Sequence, residues 1–432
     1  MRRRSLAVAI EALSWMAYAR LGERTALFRA ADQLDADRDE LRQAHRLIME
    51  ATRFQNLLDH YVLLASGPKL SDVPHGVSVF LRILAFSKHV DRADQRQLQM
   101  IISSARQVLG WKTLHPFEET IGRIIFQTPQ INANNEYERT ALVTCHPAWY
   151  VRHVMLLFGR DVALRILNRD LKPIPLYVRS NPLQNIPLAE PIGIKVDGLE
   201  GVSKLSNPPK LGRKQLDLVN SGKIVIQDFS SIVAGVVASP QPGDTVIDAC
   251  AAPGNKTAHL AALMHNEGEI LSIDVSPDRM ARWKKETKRT GCIIAYGVMA
   301  DAARLDLKVE ADVAIVDPPC SNTGVFAKNP AMKWKLSPSR LQTLIEKEMA
   351  ILNAVSEHVR VGGSLTYSTC SILPEENEDL IISFLRRNPE FKLEQQNPFL
   401  GSIGLNGLTK SQRFYNYLHE CNGYFIAKLR RR

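Results

Sequence analysis

Six cysteines are spread along the 432-residue chain, at positions 145, 250, 292, 320, 370 and 421, and no two form a CxxC pair. That spacing argues against a zinc site or a disulfide framework and for a reducing, intracellular setting. A cysteine with a special role here would owe it to reactivity. Two stand where a thiol could do chemistry: Cys320 follows an acid and a proline pair in Asp317-Pro318-Pro319-Cys320, and Cys370 closes the apolar run GSLTYSTC. A thiolate can add covalently to an electron-poor carbon and later leave again. Most cysteines are instead small buried hydrophobes. That reading suits Cys145 and Cys292, and by default Cys250 and Cys421.

The elements that carry these thiols are readable from about residue 241. TVIDAC, EILSID, CIIAYG, DVAIVD and GSLTYSTC are apolar, strand-length runs, with helical stretches near 255–266, 276–289 and 339–359. In the last stretch Leu341, Leu344, Ile345, Leu352, Val355 and Val359 line one face. Strand-helix alternation with continuously apolar strands predicts a doubly wound α/β sheet, buried on both faces. Such sheets bind ligands outside the carboxyl ends of their strands. Cys320 follows the fourth strand and Cys370 ends the fifth, so both thiols belong at one mouth. Position alone does not say which of them attacks.

The first strand runs into DACAAPGNKT, residues 248–257. Small residues and Gly254 let the backbone approach a ligand, and the following helix aims its first amides at it. The turn has neither the Walker spacing nor GxGxxG. The second strand ends in Asp274, suited to a ribose diol, and a third leads to Asp301, which could accept from an adenine amino group. Each aspartate could equally be a helix N-cap. Together, turn and acids describe a site for an adenosine-containing ligand.

After an acid-Pro-Pro element, methyltransferases acting on an exocyclic amine commonly carry an aromatic residue that stacks on the base. A thiol in that place points to a ring carbon. Carbon-5 of cytosine is too weak a nucleophile to attack a methyl sulfonium, but a thiolate adding to carbon-6 turns it into an enamine carbon. A base must then remove the carbon-5 proton so that the thiol can be eliminated, and an acid at ring nitrogen 3 stabilises the addition.

DACAAPGNKT, VDPPCSNTG, YSTCSILPEENE and the closing R-x(5)-H-x-x-NGYFIAKL resemble the Nol/Nop/Sun family of RNA 5-methylcytosine methyltransferases, as does HPAWYVRHVMLLFG upstream. The resemblance covers roughly residues 137–430. The helical first 130 residues more loosely resemble the NusB-like domain that precedes some bacterial members acting on ribosomal RNA. The resemblance implies a Rossmann-like class I methyltransferase using S-adenosyl-L-methionine. It makes Cys370 of the Thr-Cys motif the nucleophile and gives Cys320 the release of methylated RNA; DNA cytosine methyltransferases use the Pro-Cys thiol instead. Asp317 would contact the cytosine and the methionine end of the cofactor. Cys250, Ala251, Ala252, Pro253, Gly254, Asn255, Lys256, Asp274 and Asp301 would hold the cofactor, with Lys256 also giving electrostatic support at the base. Asn255 and Asn322 stand where the family usually has glycine, and Asn422 where it has aspartate. Asparagine tolerates left-handed backbone, so both loops could keep their shape.

The rest of the chain divides by composition. Residues 1–130 are poor in glycine and rich in helix formers, with Leu41, Ile48, Phe54, Leu57 and Leu58 at helical spacing and breaks at Gly67-Pro68, Pro74 and Pro116. An all-α domain is expected there. Residues 131–240 read as a small α+β module: helices in HPAWYVRHVMLLFGRDVALRIL, strands in PIPLYVRSN and GIKVDG, and Lys204, Lys210, Arg213, Lys214 and Lys223 as an RNA-facing or merely solvated set. Residues 241–432 form the methyltransferase domain. A net charge of +10 favours a polyanionic partner. AKNPAMKWKLSPSR, residues 327–340, offers Lys328, Lys333, Lys335 and Arg340 with Trp334, a mixture suited to phosphates and base stacking. The terminal KLRRR and initial RRR could add unspecific phosphate affinity. Ribosomal RNA is the expected substrate, with transfer RNA the alternative. No run of about eighteen apolar residues occurs, so no membrane span is expected, and Glu11 interrupts the signal-like start. No metal, a monomer and a cytoplasmic setting complete the expectation.

Overall fold

The computed structural model describes residues 3–19, 21–66, 73–184, 192–205 and 211–432, in two compact units. Gly67-Pro68 and Lys210 lie outside the described residues. The first unit is helical. Arg3–Tyr18 opens it, burying Leu6, Val8, Ala9, Ile10 and Ala12. Arg38–Arg53 starts with a capping box: the Asp37 carboxylate accepts from the Glu40 amide at 2.8 Å, and the Glu40 carboxylate accepts from the Asp37 amide at 3.0 Å. Ile48, Leu58, Phe80 and Leu84 are fully buried at its centre.

This unit extends past the expected boundary at 130. It runs from Met1 to Leu171 and takes in Asn329–Lys335. The reason is local: the helices Glu136–Thr144, Ala148–Phe158 and Arg160–Arg169 are tied to the earlier ones, and the Asn56 side chain donates to the carbonyls of Ala141 at 2.8 Å and His146 at 3.0 Å. The helical half of the 131–240 module therefore joins the N-terminal unit, and its strands join the second.

In the second unit, β1 (Tyr177–Ser180), β2 (Ile194–Lys195), β3 (Val202–Lys204) and β4 (Ile224–Ile226) make a small antiparallel sheet in the order β2-β3-β1-β4. The large sheet has nine strands: β5 (Thr245–Ala249), β6 (Glu269–Asp274), β7 (Ala295–Met299), β8 (Ala311–Val316), β9 (Val359–Thr369), β10 (Phe391–Leu393), β11 (Ser402–Ile403), β12 (Gln412–Phe414) and β13 (Tyr424–Arg431). Its path is β11-β12-β13-β9-β8-β5-β6-β7, parallel from β9 to β7 and antiparallel beyond β9. Helices Asn255–Leu263, Pro277–Thr290 and Pro338–Ser356 connect the parallel strands. Burial on both faces explains the continuous apolar runs: Ile247, Ala314, Leu365 and Phe425 are all inaccessible.

Two consequences matter for the site. β8 and β9 are direct neighbours, with Val316 opposite Tyr367, so the chain leaves both strands at one edge. β13 runs antiparallel to β9 with Phe425 opposite Thr369, which brings Tyr424 to that same edge. Among the described residues no helix is long and apolar enough to cross a membrane.

Candidate active site

The two thiols meet. Cys320 Sγ and Cys370 Sγ are 3.3 Å apart, and the Asn322 side-chain oxygen is also 3.3 Å from Cys370 Sγ. Asn322 is itself held by its amide, which donates to the Cys320 carbonyl at 2.7 Å. It sits at φ +60°, the left-handed conformation expected of an asparagine in a glycine's place. Asn255 needs no such tolerance, because it starts the helix and Gly254 before it takes the turn at φ +107°. Cys320 is 5% exposed, whereas Cys370 is partly open to solvent. The hydrogen bond with Cys370, then burial, holds the Cys320 thiol well above its ordinary range.

Beside the thiol loop lies a charge pair. Lys256, in the first turn after β5, places Nζ 2.6 Å from Asp317 Oδ2, just past β8. Burial pushes the Lys256 ammonium towards deprotonation, but the Asp317 carboxylate and the Tyr424 phenol more than offset it, and the net shift is upward. Lys256 is therefore a fixed cation at neutral pH. The Tyr424 hydroxyl is 3.1 Å from Ser368 Oγ and 3.4 Å from Asp317 Oδ1. Sequence reasoning missed Tyr424, although it stands in the closing NGYFIAKL run. Its signal was register: a residue at the edge of a strand paired with the one ending at Cys370.

On the other side of β5, Cys250, Asp274, Val275, Asp301, Ala302 and Pro319 line an open cleft. Cys250 takes φ +62°, and burial together with Asp317 and Asp274 pushes its thiol up to about 12, so it contributes backbone rather than a thiolate. Ala251 and Ala252 are buried, and the Ala251 amide donates to the Ile273 carbonyl at 2.9 Å. Pro253 is exposed at the tip of the turn. A side chain on Gly254 would press on Trp283, 3.2 Å from its Cβ position. Asp274 accepts from the Ala252 amide at 3.2 Å and the Ser276 amide at 3.0 Å, with Arg279 3.3 Å away. Asp301 accepts from the Ala303 amide at 3.1 Å. Both acids therefore cap a turn and line the pocket at once. A glycine turn, two acids and a cleft beside the acid-Pro-Pro loop are residues that would suit an adenosine-containing cofactor.

Several expected RNA contacts are not available. Lys333 is 1% exposed, donating to the carbonyls of Arg53 at 2.9 Å and Cys145 at 2.7 Å, and Trp334 Nε1 donates to the Thr52 carbonyl at 2.7 Å. Lys333 belongs to the helical unit's interior and Trp334 is half-buried against it, while Lys328, Lys335 and Arg340 are exposed. The terminal cluster is largely built into β13, where Lys428 is buried against Ser239 and Arg430 pairs with Glu394 at 2.9 Å. Lys204 pairs with Glu420, and Arg213 and Lys214 are exposed on the helix Arg213–Asn220. Cys145, Cys292 and Cys421 are buried. Among the described residues no group of three His, Cys, Asp or Glu side chains could hold a metal ion.

The doubly wound sheet, its pocket and its strand-end acids define a class I, S-adenosylmethionine-dependent methyltransferase. A crystal structure, that of PH0851, matches all of this chain and 99% of its own with a TM-score of 0.84 at 26% identity. The family model of the 16S rRNA methyltransferase RsmB/F matches residues 236–430. The ribosomal RNA small subunit methyltransferase B of Salmonella paratyphi C is 30% identical over 70% of this chain and 70% of its own length. The chain belongs to the RsmB/F family. A tRNA (cytosine(72)-C(5))-methyltransferase of Pyrococcus horikoshii is 37% identical over 50% of this chain, which spans about half, 54%, of that relative's length.

Proposed function

We propose that the protein transfers a methyl group from S-adenosylmethionine to carbon-5 of a cytosine in RNA, through a covalent adduct on Cys370. The observation that carries this reading is the 3.3 Å thiol pair on neighbouring strand ends, beside the Lys256–Asp317 pair. S-adenosylmethionine supplies an electrophilic methyl group when bound, held by residues 250–256, Asp274, Asp301 and Asp317.

Cys370, the more exposed thiol, adds as thiolate to carbon-6, and the displaced electron pair makes carbon-5 nucleophilic. Carbon-5 bonds the methyl carbon as the methyl–sulfur bond breaks. A base takes the carbon-5 proton, the carbon-6–sulfur bond breaks with its electrons returning to Cys370, and the ring regains its double bond. Asp317 would orient the base, and the Lys256 cation paired with it would stabilise the negative charge that builds during addition. Cys320 assists release. The target base reaches this strand-end site only when single-stranded or extruded.

We further read the substrate as small-subunit ribosomal RNA, supported by the Salmonella relative, with the NusB-like helical unit contributing RNA binding. Transfer RNA is the second reading, favoured by the more identical P. horikoshii relative. A reducing, cytoplasmic setting fits six free cysteines, and a monomer completes the reading. The test is a pair of variants assayed with RNA and labelled cofactor. Cys370→Ala should abolish methylation, and Cys320→Ala should accumulate a denaturation-resistant protein–RNA adduct. Turnover retained by Cys370→Ala would sink the assignment, and bisulfite sequencing of RNA from a deletion strain would name the cytosine.

A further inference from the structure

The run Pro374-Glu375-Glu376-Asn377-Glu378 has no part in the chemistry drawn so far, yet it lies directly behind both thiols. Each thiol is followed by a serine, Ser321 after Cys320 and Ser371 after Cys370. Both serines turn onto one carboxylate. Glu376 Oε1 accepts from the Ser321 amide at 2.6 Å, and Oε2 accepts from Ser321 Oγ at 2.5 Å and from Ser371 Oγ. The two serine oxygens are 3.1 Å apart, and Thr323 Oγ1 lies 3.0 Å from Ser371 Oγ. Glu376 and Ser371 are wholly buried and Ser321 is 1% exposed.

Burial raises the Glu376 carboxyl, and the hydrogen bonds from Ser321 and Ser371 oppose that rise. Its buried neighbour Glu348 is pushed by burial, then by Glu376 itself, up to about 11 and keeps its proton. Removing a carboxylate from water is costly unless donors replace the water, and three donors from the two cysteine loops do so here. The rest of the run braces the same loop: the Asn377 amide donates to the Ser371 carbonyl at 3.0 Å, and the Asn377 side-chain oxygen accepts from Thr369 Oγ1 at 2.5 Å.

We propose that Glu376 is a positioning residue for the thiol pair, its carboxylate pinning Ser321 and Ser371 together and so fixing the separation of Cys320 and Cys370. The inference rests on the reading that both thiols serve one base, where a displacement of about 1 Å costs ~10²-fold in rate.

The test uses the full-length protein in a glutathione redox buffer. Oxidised glutathione takes two electrons from the two thiols and is reduced to two glutathione molecules as the disulfide forms. Peptide mapping quantifies the Cys320–Cys370 link, which gives the effective molarity of one thiol for the other. Glu376→Gln should lower it at least tenfold, and the milder Ser321→Ala/Ser371→Ala pair should do the same. Added to that pair, Glu376→Gln should change it less than twofold. In the methylation assay kcat should fall ~10²-fold while KM for RNA moves less than threefold. An unchanged effective molarity in the serine variant overturns the proposal. So does a full additional effect of Glu376→Gln on the serine-free background. Thiol coupling that responds as expected in a protein forming no 5-methylcytosine upholds the clamp and defeats the reaction instead.

Discussion

Replacing Lys333 by methionine gives a stability change whose pH dependence follows from the structure. Burial lowers the Lys333 ammonium from its ordinary 10.5 to about 8, although two carbonyls accept from it. A lysine whose folded pKa lies below its unfolded one binds fewer protons when folded. Its charged form is therefore a penalty, full below about pH 8 and relieved as pH rises towards 10.5. The interval between the two values is worth about 3 kcal/mol at 1.36 kcal/mol per pKa unit. Between pH 7 and pH 10 the wild type should recover most of that, roughly 2–3 kcal/mol, which the methionine variant has no means to recover. Methionine also leaves the Arg53 and Cys145 carbonyls without this donor, about 1–3 kcal/mol for each buried group. Urea unfolding of both proteins at pH 7, 8.5 and 10 gives the difference directly, since shared titrations cancel. The wild type's advantage should grow with pH. A constant difference across that range, or one that shrinks, refutes the burial argument.

Two further substitutions probe the catalytic unit. Tyr424→Phe removes the hydroxyl that bonds Ser368 and approaches Asp317. One neutral hydrogen bond is worth about 0.5–1.5 kcal/mol, so kcat should fall about three- to tenfold with KM for RNA unchanged, and wild-type kcat would exclude a role for the phenol. Asp274→Asn leaves one oxygen to serve the Ala252 and Ser276 amides and removes the negative charge facing the pocket. Calorimetry with S-adenosylhomocysteine should show a Kd about 10- to 100-fold weaker, and a change under twofold would displace Asp274 from the cofactor site.

The catalytic fold was legible because its signal is redundant. Five apolar runs alternate with helices, and the rule that such sheets bind ligands at strand ends placed Asp274, Asp301, Asp317, Cys320 and Cys370 before any coordinates. Lys333 and Trp334 were misread because a lysine–tryptophan run looks the same whether it meets phosphates or carbonyls. What separates the cases is the partner, and Arg53 and Cys145 are some 280 and 188 residues distant in sequence. Composition placed a boundary near 130, whereas the first compact unit runs to Leu171, for a related reason. Asn56 reaches across the compositional change to Ala141 and His146. Tyr424 and Glu376 were hidden differently. Both sit in motifs already noticed, yet their roles depend on which atoms β13 and the turn after β9 bring behind the thiols.

Fold logic left Cys320 and Cys370 equivalent, since each follows a strand at the same edge, and family resemblance alone distinguished them. Their surroundings add a physical difference that supports the same assignment. Cys320 is buried, with its thiol proton retained by its neighbour and by burial. Cys370 is partly open, and its thiol donates to the side-chain oxygen of the anchored Asn322. Attack requires a thiolate that a base can approach, which suits the open residue. Release requires a group that stays out of the way until the adduct exists. Once Cys370 is bonded to carbon it has no proton to donate, so a hydrogen bond within the pair can then come only from Cys320.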